Sequence, residues 1–421
     1  MSLKTLKLDV NKESRNTPYY FYLMSMLTSF LNFLYYPVLS RILPIDLYGE
    51  VQFIVTILFQ VSVLFLALNI ITVLVSIRYS KSPPVLAKKI IALSSALNIS
   101  TAALTLVLVI VSSFFHQELG FNSPLAFIVM GIAILSTVPF TLTIGLLQGK
   151  NLYIRAATLN VIGSGLKLIF SVLFVLTGMG AVGAILGIAV GQFIAVIIFI
   201  LNKKNSLSFS DTFSFTSNWG HRLKPDWLLI LSCVWIIAVN ILMSLDTILA
   251  KSTLNPEQAG EYAGIATLSK IAIFAVSPLM WLVIPSAAEF REKGKTVKIL
   301  LLVALAFCAS LVSLYLLFGD SVLLIVVGDQ YLVMSNLLVL ATIGSSLLSI
   351  SAMMGVILIA RQLYRHSALQ AISMIAIFLT VFIYYSQSND PLLAVLLAQA
   401  ISGGVGVIYY SIIAYVRQVR K

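Results

Sequence analysis

Apolar positions along this chain do not alternate with polar ones, and they do not trace a single helical stripe. They fill whole stretches of about 20 residues, separated by short polar connectors. A helix rises 1.5 Å per residue, so a run of that length crosses roughly 30 Å of hydrocarbon. Twelve such spans are expected, at approximately 19–40, 51–77, 90–115, 124–147, 157–177, 181–201, 227–250, 262–287, 299–318, 335–360, 368–386 and 391–415. The pattern predicts an all-α polytopic membrane protein. Its longest connector, 202–226, is polar and separates an expected N-terminal lobe, 1–201, from a C-terminal lobe, 227–421. No connector is long enough to fold as a soluble domain. The first apolar run is too long for a signal-peptide core and lacks a small-residue cleavage site, so it is expected to stay as a span.

Composition agrees. Hydrophobic residues make up 60% of the chain and charged residues 10%, too few to cover a soluble surface. The two cysteines, Cys233 and Cys308, both fall inside apolar runs, which fits core thiols better than a disulfide or metal framework. The histidines, His116, His221 and His366, lie far apart in connectors, and no metal site is expected.

The formal charge of +12 changes meaning once it is placed. Of the 27 Lys and Arg, 23 lie in the N-terminal tail and in every second connector after it, including Lys4, Lys7, Lys12 and Arg15. The opposite connectors carry Arg41 and Lys251 against Asp46, Glu50, Glu118, Glu257, Glu261, Asp320, Asp329 and Asp390. Such asymmetry predicts cytoplasmic termini and attraction to anionic lipids of the inner leaflet, not a nucleic-acid partner.

A repeat runs through the chain. The stretch P-V-L-S-R-I-L-P-I-D-L-Y-G-E-V (Pro37–Val51) is echoed by L-A-K-S-T-L-N-P-E-Q-A-G-E-Y (Leu249–Tyr262). Gly49 and Gly260 are 211 residues apart, Pro44 and Pro256 212, and Arg41 and Lys251 210. The turn containing Lys150 and Tyr153 recurs at Arg361 and Tyr364, again with an offset of 211. Pro44 and Gly49 read as a tight polar reversal between two helices. Six spans separate the copies, so the halves have the same orientation, as in transporters built from parallel repeats.

The hairpin L-S-R-I-L-P-I-D-L-Y-G-E-V-Q-F resembles the first-loop signature of the polysaccharide exporters and O-antigen flippases. These belong to the multidrug/oligosaccharidyl-lipid/polysaccharide exporter superfamily. The stretches Leu245–Ala263 and Ile284–Phe290 are similar to that family's second-lobe patterns. The resemblance implies two six-helix lobes in a V around a central cavity. It also implies a cargo of undecaprenyl-diphosphate-linked oligosaccharide, moved outward for O-antigen, capsule or a related glycan. A glycan polymerase and chain-length machinery are the partners it suggests, and a monomer is expected.

Such a cargo needs a wet, cationic cavity lined with hydroxyls and aromatic rings. Four cations fit: Arg41 and Lys251 at equivalent helix ends, Lys167 midway along the fifth span, and Lys270 roughly 12 Å below the outer surface. A lone ammonium in hydrocarbon costs at least about 2.5–3.5 kcal/mol, so each should face protein or water. The competing readings are a structural pair with Asp246 for Lys270 and a snorkelling anchor for Arg41. Asp246 is the one acid expected within a span, as a proton or sodium coupling site or as a structural partner. It stands about 140° around the helix from Lys251, so the two do not share a face. Asn32, Tyr35, Tyr36, Asn240 and Ser244 are expected to line the glycan path. Pro37, Pro139, Pro278 and Pro285 are expected to supply bends, and Gly183, Gly187 and Gly191 a close packing face.

No Walker lysine loop occurs, and no cofactor is expected beyond a coupling H+ or Na+. Two rival readings stand: a drug/cation antiporter of the same superfamily, which would favour intramembrane acids, and a glycan polymerase, which would carry a large basic outer loop.

Overall fold

The computed structural model describes residues 17–78, 83–115, 117, 121, 123–150, 152–201, 227–288, 294–387 and 391–419. The expected linker, 202–226, lies outside them. The described chain is a succession of helices: α1 (Thr17–Ile42), α2 (Ile45–Arg78), α3 (Pro83–Phe115), α4 (Leu125–Gly149), α5 (Tyr153–Phe174) and α6 (Gly180–Leu201). There follow α7 (Trp227–Thr253), α8 (Pro256–Ser269), α9 (Ile271–Ala288), α10 (Gly294–Val326), α11 (Ser335–Ala360), α12 (Tyr364–Ser386) and α13 (Pro391–Val419). Among the described residues there is no strand.

Ten helical stretches among these residues are long and apolar enough to cross a membrane. Two of the twelve expected spans run together in that count, because residues Tyr153–Leu201 form one apolar stretch that reverses on itself. The reversal is visible in the packing of α5 on α6. A Cβ added to Gly187 would stand 2.2 Å from the Ser171 backbone nitrogen, and one on Gly191 2.4 Å from that of Lys167. The numbers climb on one helix as they fall on the other, so the pair is antiparallel. The expected glycine face is therefore a backbone-to-backbone contact.

Helix ends depart from the sequence expectation. Helix α1 runs to Ile42 and α2 starts at Ile45, so the reversal occupies Leu43 and Pro44 alone. Gly49, expected in the turn, lies within α2, where a Cβ would come 3.0 Å from the Gly260 Cα of α8. A glycine is needed there for helix approach rather than for turn conformation. Glu50 and Glu261, expected in connectors, are likewise inside α2 and α8 and buried. Asp246 is thus not the one acid within a helix, because polar first turns extend each helix beyond its apolar run. Pro37 and Pro139 sit inside α1 and α4 without ending them, as neighbouring helices in a membrane tolerate.

Helices α1–α6 pack chiefly among themselves, as do α7–α13, and the two groups meet where α2 lies against α7 and α8. These groups are called the N-terminal and C-terminal halves below.

Candidate functional site

At the seam between the halves, the C-terminal half supplies a buried charged cluster. Helix α8 starts with Asn255 as N-cap, whose side chain accepts from the Gln258 amide at 2.8 Å, and with Pro256 in its first turn. It ends where hydroxyls compete for its carbonyls. Thr267 donates to the Ala263 carbonyl at 2.9 Å and Ser269 to that of Ala266 at 3.1 Å. Lys270 occupies the break before α9. Its Nζ lies 3.1 Å from Asp246 Oδ1 and donates to Thr247 Oγ1 at 2.6 Å. The other carboxylate oxygen accepts from Tyr262 OH at 2.9 Å. Asp246 is fully buried, and this ring of donors satisfies its oxygens in place of water. The geometry is the Asp246–Lys270 pair that competed with a coupling role in the sequence.

Lys270 also faces a pocket. Tyr36 of α1, Gln52, Val55, Thr56 and Phe59 of α2, Met243 and Ser244 of α7, Thr267 of α8, and Ile273 and Phe274 of α9 complete its wall. Every element at the seam contributes. Tyr36 and Phe274 bring their rings to 6.4 Å from opposite halves. The pocket holds about 40 Å³. At roughly 10–15 Å³ per water that is space for a few waters, far below the several hundred Å³ of a ligand site. The halves are closed on each other here.

Of the residues expected to line the cavity, Tyr36, Ser244 and Lys270 reach this wall; the others stand around it. Lys167 is half-buried, donates to Asn32 Oδ1 at 2.6 Å and sits 4.8 Å over the Tyr35 ring. Tyr35 in turn donates to the Ala184 carbonyl at 3.1 Å and meets Tyr36 edge-on at 5.7 Å. Lys167 is thereby linked to the pocket through two aromatic rings. Asn240 bonds back to the Ile236 carbonyl at 2.8 Å, and its own carbonyl accepts from Gln60 Nε2 at 2.7 Å. Gln60 also donates to Ser244 Oγ, which ties the halves together below the pocket.

Arg41 and Lys251 are not on the pocket wall. Arg41 is exposed and donates to the Ile325 carbonyl of α10. Lys251 is buried, with its ammonium 5.1 Å over the Phe121 ring. Gln52, Thr56, Gln60, Thr247, Tyr262 and Thr267 were not singled out in the sequence. Tyr262 carried a signal: Asp246 and Tyr262 lie nearly equal distances from the α7–α8 turn, which sets them level across a hairpin. The uncharged residues carried none, since Gln and Thr are scattered through the spans. No group of metal-ligating side chains occurs among the described residues.

Solved structures of similar shape cover nearly the whole chain. The lipid II flippase MurJ in an inward closed conformation superposes with a TM-score of 0.69 at 16% identity, over 94% of this chain and 87% of that one. An inward-facing multidrug-resistance MATE transporter of the MOP superfamily gives 0.66 at 14% identity, over 91% and 94%. The chain has the MurJ and MATE fold. A Vibrio cholerae MATE transporter, VcmN, gives 0.62 at 15% identity, over 93% and 96%. No family model and no curated protein sequence matches. The ten apolar helical stretches and the shared fold make this a multi-pass membrane protein.

Proposed function

We propose that this protein is a flippase for a polyprenyl-diphosphate-linked oligosaccharide, moved outward across the cytoplasmic membrane by alternate opening of the seam. The observation that carries this reading is the lysine in the pocket wall. Lys270 offers an ammonium between hydroxyls and aromatic rings contributed by both halves, chemistry suited to an anionic headgroup bearing a sugar. Lys167, joined to the same wall through Tyr35 and Tyr36, is the second diphosphate ligand in this proposal. The O-antigen or capsule unit comes from the hairpin resemblance, and the similar MurJ structure is that of a lipid II flippase. Coupling to a proton or sodium gradient is part of the proposal, with Asp246 as the acid nearest the pocket cation.

One observation favours the antiporter alternative: the MATE transporters share the fold over equal lengths. The two readings part in a transport assay. In proteoliposomes, Lys270→Met combined with Asp246→Asn removes both charges and leaves similar shapes. It should lower the flipping of a fluorescent polyprenyl-diphosphate disaccharide by tenfold or more. Undiminished flipping in this variant would reject the cationic site. A wild-type protein that moves cationic dyes and ignores the lipid would favour the antiporter.

A further inference from the structure

On the face that carries the α1–α2 turn, the halves are joined by contacts that occur twice with the roles of the halves exchanged. Arg41, at the end of the first helix of the N-terminal half, donates to the Ile325 carbonyl near the end of α10. Its neighbour Ser40 donates to the Val327 carbonyl at 3.0 Å, and the Ser40 carbonyl accepts from Gln330 Nε2 at 2.8 Å. The end of α1 therefore rests on the connection between the third and fourth crossings of the other half. Lys251, at the end of the first helix of the C-terminal half, makes the converse reach. Its ammonium stacks on Phe121, which lies in the connection between α3 and α4. The Glu50 and Asp46 carboxylates of α2 are within electrostatic range of it. The repeat offset of 211 carries Arg41 to within one residue of Lys251, and Phe121 to Leu332, next to Tyr331. The paired glycines, Gly49 against Gly260, are also 211 apart and also join the two halves.

We propose that Arg41 and Lys251 are a reciprocal clasp that holds this face closed, and that releasing both contacts is what allows the face to open. The chemistry of each contact suits that task. Carbonyls at a helix C-terminus carry partial negative charge and favour a guanidinium. An ammonium over a buried ring gains from the absence of water. Both contacts join groups from opposite halves, so neither survives if the halves part on this side. The Arg41 contact is exposed and water can replace it; the buried Lys251 contact is the stronger hold. This inference does not depend on the nature of the cargo. It assigns the two repeat-related bases to the gate instead of to the cargo.

The test measures the width of this face in cargo-free lipid nanodiscs. Spin labels at Thr177→Cys and Gln258→Cys, both exposed and on opposite halves, report it by electron-paramagnetic distance measurement, with Cys233 and Cys308 replaced by Ala. Arg41→Gln should raise the ratio of open to closed molecules about threefold, and Arg41→Gln with Lys251→Met about tenfold or more. Phe121→Leu keeps both charges and should reproduce much of the Lys251→Met effect, which covers the case in which that variant does not fold. An unchanged distance distribution in the folded variants overturns the clasp. So does an unchanged distribution accompanied by weaker binding of polyprenyl diphosphate, since that result would assign the bases to the cargo.

Discussion

Asp246 receives Lys270 and Thr247 on one side and Tyr262 on the other, and none of its surface is exposed. Removing one partner from such a pair leaves a buried charge that costs about 3–5 kcal/mol, whereas removing both charges is often nearly neutral. Lys270→Met alone should therefore lower the unfolding temperature in detergent sharply, and Asp246→Asn added to it should restore most of the loss. Equal and additive losses would mean that the two residues do not act as a pair. Tyr262→Phe should cost about 1.5–3 kcal/mol, the usual value of a hydrogen bond to a charged group. At this scale the sequence supplied the residue types. The expectation of an intramembrane lysine needing a partner was legible, because an unpaired ammonium in lipid is costly wherever it sits. The partner was only one of two options, because spacing along the chain does not say how α7 and the α8–α9 break approach each other.

At the scale of elements, the apolar runs located the spans but not their ends. Residues 45–50 are polar enough to look like a connector, yet they form the first turns of α2, where Asp46 suits the positive end of the helix. Gly260 shows why the element boundary matters. A Cβ there would fall 2.1 Å from the Ile45 carbonyl oxygen, which is backbone and cannot rotate away. Gly260→Ala should push α2 and α8 apart and lower the melting temperature. Gly165→Ala in α5, where a Cβ meets nothing within 4 Å, should instead stabilise by about 0.5–1 kcal/mol through helix propensity. Thermal unfolding of the two variants side by side checks the contrast. The break at Lys270 was not legible, since the residues on both sides of it continue one apolar run.

For the whole molecule, a pocket of about 40 Å³ has no room for the proposed cargo, so the proposed transport requires the seam to widen. Gln60 and Asn240 bridge the halves on the side of the pocket away from the clasp. A short bifunctional cross-linker between Gln60→Cys and Asn240→Cys should stop flipping in proteoliposomes, and cleavage of the linker should restore it. Continued transport in the cross-linked protein would mean that cargo passes without separation of α2 from α7.

The sequence by itself determined that the chain is a helical membrane protein in which two short motifs recur at an offset of about 211 residues. Those properties are local or additive: the length of an apolar run against the thickness of a bilayer, and an offset that repeats. It also marked Lys167, Asp246 and Lys270 as costly within the membrane, though not Glu50 and Glu261, which the helices bury beyond their apolar runs. Only the tertiary structure decided what each of them faces. Lys270 looks into the seam beside Asp246, Lys167 rests on Tyr35, and Arg41 and Lys251 reach across to the opposite half. The physical reason is that these helices are apolar on every side, because lipid and protein interior accept the same side chains. The stripe that orients a helix in a soluble protein is absent, so its rotation is set by the few glycines and polar contacts that neighbouring helices supply.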